Sequence, residues 1–100
     1  MKTTTFEQEG KLFAVLEGRL DTAAAPETEK AMAPLYNREG KDIILDCTDL
    51  AYISSSGLRI FLGILNNAEE KGQHVYIKGM TDDVRAVFTM TGFINLFNII

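Results

Sequence analysis

Asp46-Cys47-Thr48-Asp49-Leu50-Ala51-Tyr52-Ile53-Ser54-Ser55-Ser56-Gly57-Leu58-Arg59-Ile60-Phe61-Leu62-Gly63-Ile64-Leu65 is the stretch that decides the reading of this 100-residue chain. The apolar run Ile43-Ile44-Leu45 feeds into it and reads as a buried strand. A polar loop, Thr48 to Ser56, comes next. An apolar-rich segment of helical length follows, closed by Lys71-Gly72. Serine favours helix starts because its hydroxyl accepts a hydrogen bond from one of the first free N–H groups. One serine suffices for that job, yet Ser54, Ser55 and Ser56 stand together. Ser56, at or just inside the helix start, is the candidate for a regulated surface group, and Ser55 is the second candidate.

Working outward, Thr3 to Glu9 reads as an edge strand, Gly10-Lys11 as a tight turn, and Leu12 to Leu16 as a strand apolar enough to be covered on both faces. The first two strands form an antiparallel hairpin. Gly18 to Thr22 reads as a loop. A helix is expected from Ala25 to Tyr36, with Pro26 in its first turn and Glu27 and Glu29 at its positive end. Pro34 predicts a kink or a tightened last turn, and Asn37 and Gly40 end the element. Downstream, His74 to Lys78 alternates as a strand. Thr81-Asp82-Asp83 opens a helix to about Met90 with the stripe Val84, Val87 and Phe88. Gly92 ends it, and Phe93 to Ile100 reads as the last strand.

This alternation predicts an α/β fold in a single domain over residues 1–100. About five strands form a mixed, mainly parallel sheet, the first in an antiparallel hairpin, packed with three helices. Right-handed crossovers gather the loops after the parallel strands at one sheet edge. That places Asp21, Asp46 and the serines in one neighbourhood.

At about 100° per residue, Leu58, Phe61, Leu62, Leu65, Ala68 and Glu69 share the core-facing sector of the serine helix. Ile60 and Ile64 fall on the far side with Ser56, Gly63 and Asn67. They are read as a docking surface beside Ser56, with Gly63 permitting close approach of a partner. The alternative is that a neighbouring helix or the chain end covers the two isoleucines. A phosphate on Ser56 is compatible with folding, since helix N-termini favour anions by roughly 0.3–1 kcal/mol. It places a charge of about −1.5 to −2 beside that surface, with Asp21 adding to the negative field.

The segment Asp49-Leu50-Ala51-Tyr52-Ile53-Ser54-Ser55-Ser56-Gly57-Leu58 resembles the signature of the STAS domain, and more narrowly of bacterial anti-sigma factor antagonists. Gly18-Arg19-Leu20-Asp21 is similar to the family's first loop, Ile44-Leu45-Asp46 to its third-strand ending, and Val87 to Phe93 to its segment before the final strand. Ser56 occupies the place of the phosphorylated serine or threonine, and Asp21 that of the nearby acidic residue. Two residues depart from the pattern: Ser54 stands where an aspartate is usual, and Arg59 where a small residue is usual. A C-terminal helix is also expected in such domains, and none is read after the last strand. The resemblance implies a partner-switching protein that binds an anti-sigma factor serine kinase when unphosphorylated. It lets go when phosphorylated on Ser56, and a serine phosphatase resets it. Asp21, Thr22, Ser54, Ser55, Arg59, Ile60, Gly63 and Ile64 are the expected partner-binding residues. The rival within the family is a STAS subunit bracing the ATPase of a membrane transporter, without a phosphoswitch.

Other classes are disfavoured by composition. The net charge of −4 lacks the basic footprint of a nucleic-acid binder, and no apolar run approaches a membrane span. The single cysteine, Cys47, reads as a small core residue, and it suits a cytoplasmic setting. An enzyme is not expected: Ser56 lacks the glycine-flanked nucleophile elbow, and His74, the one histidine, lies at the strand end away from the serines. No Cys/His cluster or Gly-rich phosphate loop suggests a metal or cofactor. Asp42, Asp46 and Asp49 are read as turn residues rather than a cation site.

Overall fold

Glu9 and Gly10 both take positive φ, 52° and 76°. Two successive left-handed residues make the tight turn whose twist matches a hairpin. They join β1 (Lys2–Gln8) to β2 (Lys11–Leu20) with Gln8 opposite Lys11, so the turn falls one residue earlier than expected. The computed structural model describes residues 1–36 and 40–100. Further along come α1 (Ala25–Ala31), a 3-10 turn (Ala33–Leu35), β3 (Ile43–Ile53), α2 (Ser55–Glu70) and β4 (Val75–Lys78). Then follow α3 (Asp82–Thr91), a second 3-10 turn (Phe93–Asn95) and β5 (Asn98–Ile99). The strands lie in sequence order in one sheet, β1 antiparallel to β2 and the rest parallel. The expected mixed α/β fold with three α-helices is therefore what the described residues form.

Adding each parallel strand beside the last through right-handed crossovers puts all the helices on one face. Burial along β2 shows the result. Leu12, Ala14, Leu16 and Leu20 are buried, while Phe13 and Val15 on the other face are only half-buried. Coverage of β2 on both faces is thus corrected: the second face is open, and across it runs the row Phe6, Phe13, Ile44 and Tyr76. Phe6 and Phe13 stack there at 5.0 Å between centroids.

The polar loops expected at Gly18–Thr22 and Thr48–Ser56 are largely strand. β2 and β3 stay paired to Leu20 and Ile53, with register shifts after Val15 and after Gly18 that each give β3 one extra residue. Asp46 Oδ1 braces the first bulge by accepting from the Thr48 N–H (3.0 Å) and hydroxyl (2.7 Å). The bulges re-aim the chain so that Leu50 and Ile53 both reach the core.

The first helix stops at Ala31. Pro34 has no N–H to continue the ladder, and the chain tightens into a 3-10 turn, as the sequence predicts. The expected ending at Asn37 lies outside the described residues. α2 ends in a Schellman arrangement. The Gln73 N–H donates to Ala68 O (2.8 Å) and the Gly72 N–H to Glu69 O (3.2 Å), with Gly72 at φ 72°. α3 is capped by Thr81, whose hydroxyl accepts from the Val84 N–H, and ends at left-handed Gly92. The final strand is shorter than expected. After Gly92 the chain makes a 3-10 turn that drives Phe97 into the core, leaving only Asn98–Ile99 paired with β4. Phe97 meets Phe61 and Phe88 with ring centroids 5.9–6.4 Å apart and tilted planes, an arrangement that aromatic quadrupoles favour.

The reading of α2's faces needs correction. Its buried residues are Gly57, Leu58, Ile60, Phe61, Ile64, Leu65 and Ala68. That stripe is centred on Phe61 and Ala68, which leaves Leu62 half-buried and Glu69 exposed. Ile60 (5% exposed) and Ile64 (1%) belong to the core and form no docking surface. The reason is α1, which packs beside α2 and widens the sector that needs apolar cover. Gly63 serves the same packing. A Cβ there would stand 2.9 Å from Tyr36 Oη, so the close approach it permits is to a residue of its own chain. Replacing Ile64 by Lys is therefore expected to remove the cooperative unfolding transition or lower stability by several kcal/mol in urea titration. A variant of wild-type stability would show that the site is open.

Candidate functional site

The three serines divide their labour. Ser54 is the N-cap of α2, in extended conformation (φ −92°, ψ 173°), and its Oγ accepts from the Gly57 N–H at 3.2 Å. It is 8% exposed, so its hydroxyl is committed to the fold rather than to a partner surface, a correction to its expected binding role. Its own N–H donates to Leu20 O at 2.9 Å, which ties the end of β2 to the start of α2. Ser55 follows, exposed, and Ser56 is half-buried in the first turn. Gly57 holds this turn against the sheet. A Cβ there would stand 2.7 Å from Leu20 Cγ and 2.8 Å from Ile53 Cγ1.

Ser56 opens into a cleft of about 230 Å³ between α1 and α2, lined also by Ala25, Pro26, Glu29, Arg59 and Ile60. Arg59 and Glu29 are exposed at the surface. Glu29 is the residue that sequence reasoning missed. The sequence marks it only as a charge suited to the positive end of α1, because nothing local says which face of α1 meets α2. The spacing Ala25-Pro26-Glu29 along one helical face was the available signal. Glu29 also acts on Tyr36, whose phenol is pushed up by burial and then by the Glu29 charge.

Asp21 sits one residue beyond the Leu20–Ser54 bond, so topology does bring it to this edge. Its carboxylate is engaged in turn formation. Oδ1 accepts from the Ala24 N–H at 2.9 Å, and its carbonyl accepts from the Ala25 N–H. It lines a different groove, of about 570 Å³, with Arg19, Glu27 and Thr28 among others. Thr22 is exposed beside it. Asp46 is not a neighbour of the serines. It lies at the far side of the bulges, on the order of 20 Å of strand from Ser54.

Cys47 is fully buried, and burial first, then the Asp46 charge, pushes its thiol up to about 12. That leaves it protonated and inert, as its core reading expects. His74 is exposed at the start of β4, its N–H donating to Asp42 Oδ1. Among the described residues no three His, Cys, Asp or Glu side chains converge, and no helix is long and apolar enough to cross a membrane.

The family model of the STAS domain matches residues 4–100. This chain belongs to the STAS domain family. Its sequence relatives include an anti-sigma-B factor antagonist of Staphylococcus aureus, 29% identical over 100 residues, covering 99% of this chain and 90% of the relative. A Bordetella bronchiseptica protein, BtrV, named as a candidate anti-sigma factor antagonist, is 31% identical, covering 97% of this chain and 84% of the relative. Among solved structures, a Thermotoga maritima protein described as a candidate anti-sigma factor antagonist superposes with TM-score 0.85 at 18% identity, covering 97% of this chain and 84% of that one. The Bacillus cell fate determinant SpoIIAA in its phosphorylated form gives TM-score 0.74 at 18% identity, covering 99% and 91%. These structures establish the STAS fold for this chain.

The tight seat of this STAS domain's serine turn has a measurable consequence. Gly57→Ala must push Leu20 or Ile53 aside, and is expected to cost about 1–3 kcal/mol in chemical denaturation; a neutral change would show the contact is slack. Cys47 gives a second test. Its raised thiol pKa means the folded state holds the proton more tightly than the unfolded state. Stability from this group is whole below pH 9 and declines as pH rises toward 12. Reaction with a disulfide reagent at pH 8 should therefore track global unfolding, and rapid labelling of the folded protein would contradict the burial.

Proposed function

We propose that the chain is an anti-sigma factor antagonist whose partner binding is switched at Ser56. Unmodified, it binds an anti-sigma factor that is also a serine kinase, and so frees the sigma factor. Phosphorylated on Ser56, it is released, and a serine phosphatase restores it. The kinase supplies the ATP, so this chain acts as substrate and binding module rather than as enzyme, in the cytoplasm. The observation that carries the reading is the division of labour in the first turn of α2. Ser54 takes the cap, which leaves Ser56, half-buried and lining an open cleft, without a capping role. The names of the sequence relatives support the partner class.

The physics of the switch is local. A phosphate at Ser56 sits at the positive end of α2, where anions are favoured, so the fold tolerates it. A partner surface fitted to a neutral hydroxyl then meets a strongly hydrated charge of about −1.5 to −2. Ser55 and Arg59 are exposed beside that point and Pro26 and Glu29 across the cleft, while Thr22 is exposed next to Asp21; Ile60, Ile64 and Ser54 contribute by holding the turn in place.

Incubation with ATP and the cognate anti-sigma factor kinase, followed by mass spectrometry, should map the phosphate to Ser56 and lose it in Ser56→Ala. Ser56→Asp should bind that kinase at least tenfold more weakly, about 1.4 kcal/mol, while its unfolding midpoint stays near that of wild type. Binding of Ser56→Asp as tight as wild type would overturn the switch. An absence of label on Ser56 alongside binding to a transporter ATPase would place the chain in the transport branch of the family.

A further inference from the structure

Ser56 and Arg59 stand one turn apart on α2, and Glu29 reaches the same cleft from α1. Arg59 and Glu29 are the charged side chains lining that cleft, one on each wall. We infer that Arg59 is the specificity-determining cation of the switch, shared between two anions: a carboxylate of the partner while Ser56 is a free hydroxyl, and the phosphate once Ser56 is modified. Glu29 opposes the phosphate from the facing wall. This inference rests on the phosphoswitch reading and adds to it the chemistry of the partner's contact.

Side chains three residues apart on a helix are neighbours, at about 5–6 Å between Cβ atoms. Arg59 is exposed, so it can turn either outward or back over the first turn of its own helix. A guanidinium binds carboxylates and phosphates alike, through paired N–H donors. With Ser56 unmodified, the charges of Arg59 and Glu29 balance, and the exposed guanidinium is free to receive an acidic group of the partner. A phosphate on Ser56 is tethered one turn from Arg59 on the same helix and carries more charge than a carboxylate. Arg59 then turns inward and neutralises only part of the phosphate. Glu29 remains opposite, so the mouth of the cleft becomes net negative and loses its available cation together. An acidic partner group meets repulsion where it previously met a donor.

The test installs phosphoserine at position 56 during translation and follows its second ionisation by phosphorus NMR, in wild type, Arg59→Gln and Glu29→Gln. The ordinary value is about 6. Arg59→Gln should raise it, by removing the cation that favours the dianion, and Glu29→Gln should lower it. Identical titrations in all three proteins would overturn the inference while leaving the switch itself intact. A second arm measures the unmodified proteins against the anti-sigma factor kinase. Arg59→Gln should bind about two- to fivefold more weakly than wild type, with the difference shrinking as salt rises. It should also lose less affinity on phosphorylation than wild type does, because the contact withdrawn by the phosphate is already gone. An equal loss in both proteins would show that the phosphate acts without Arg59. No loss in wild type would instead overturn the switch on which the inference depends.

Discussion

A missing side chain fixes the edge of the molecule that carries the candidate site. At Gly57 the first turn of α2 lies so close to the ends of β2 and β3 that a methyl group would run into Leu20 and Ile53 together. Two hydrogen bonds made by Ser54 complete the joint, one to the Leu20 carbonyl and one from the Gly57 N–H. The turn therefore cannot roll, and the direction in which Ser56 faces is set by the core beneath it. A glycine immediately after the candidate phosphoacceptor thus has a packing reason independent of any enzyme that reads the motif.

The ladder between β2 and β3 supplies the other half of that joint. Without its two extra residues, β3 would keep strict alternation, and Leu50 and Ile53, three apart, would point to opposite faces. The bulges turn both inward and let Arg19 lie over the Tyr52 ring on the other face, 4.5 Å from its centroid. Thr48 at the first bulge packs on Gly79, whose missing side chain leaves room for it: a Cβ there would run into Thr48 Oγ1. The sheet is distorted where it meets the candidate site and regular at the opposite end, where His74 and Asp42 tie β4 to β3.

Much of this was legible in the sequence because it rests on local chemistry. The alternation of strands and helices, the hairpin, the Thr81 and Gly92 boundaries of α3 and the tightened turn at Pro34 follow from turn, cap and proline preferences. The polar stretch Thr48–Ser56 misled because bulges break the period-two pattern by which strands are recognised, and its Asp, Thr and Ser residues suit loops equally well. Ile60 and Ile64 misled for a different reason. A helical wheel shows which residues share a face, but not how many neighbours the helix has, and α1 covers the second flank. Glu29 escaped for the same reason: its role arises only where two helices meet. The last strand was overestimated because an apolar run containing Phe97 suits a strand and an inserted core anchor alike.

If Ser56 is the switch, the partner docks on the α1–α2 side of the serine turn rather than on the open sheet face with its row of Phe6, Phe13 and Tyr76. Amide chemical-shift mapping of the labelled chain against its anti-sigma factor separates these surfaces in one titration. The largest perturbations should fall on Thr22, Ser55, Ser56 and Arg59 and on the rim of the cleft at Glu29, and they should vanish when Ser56 carries phosphate. Perturbations centred on Phe6, Phe13 and Tyr76, or a pattern that phosphorylation leaves unchanged, would contradict it.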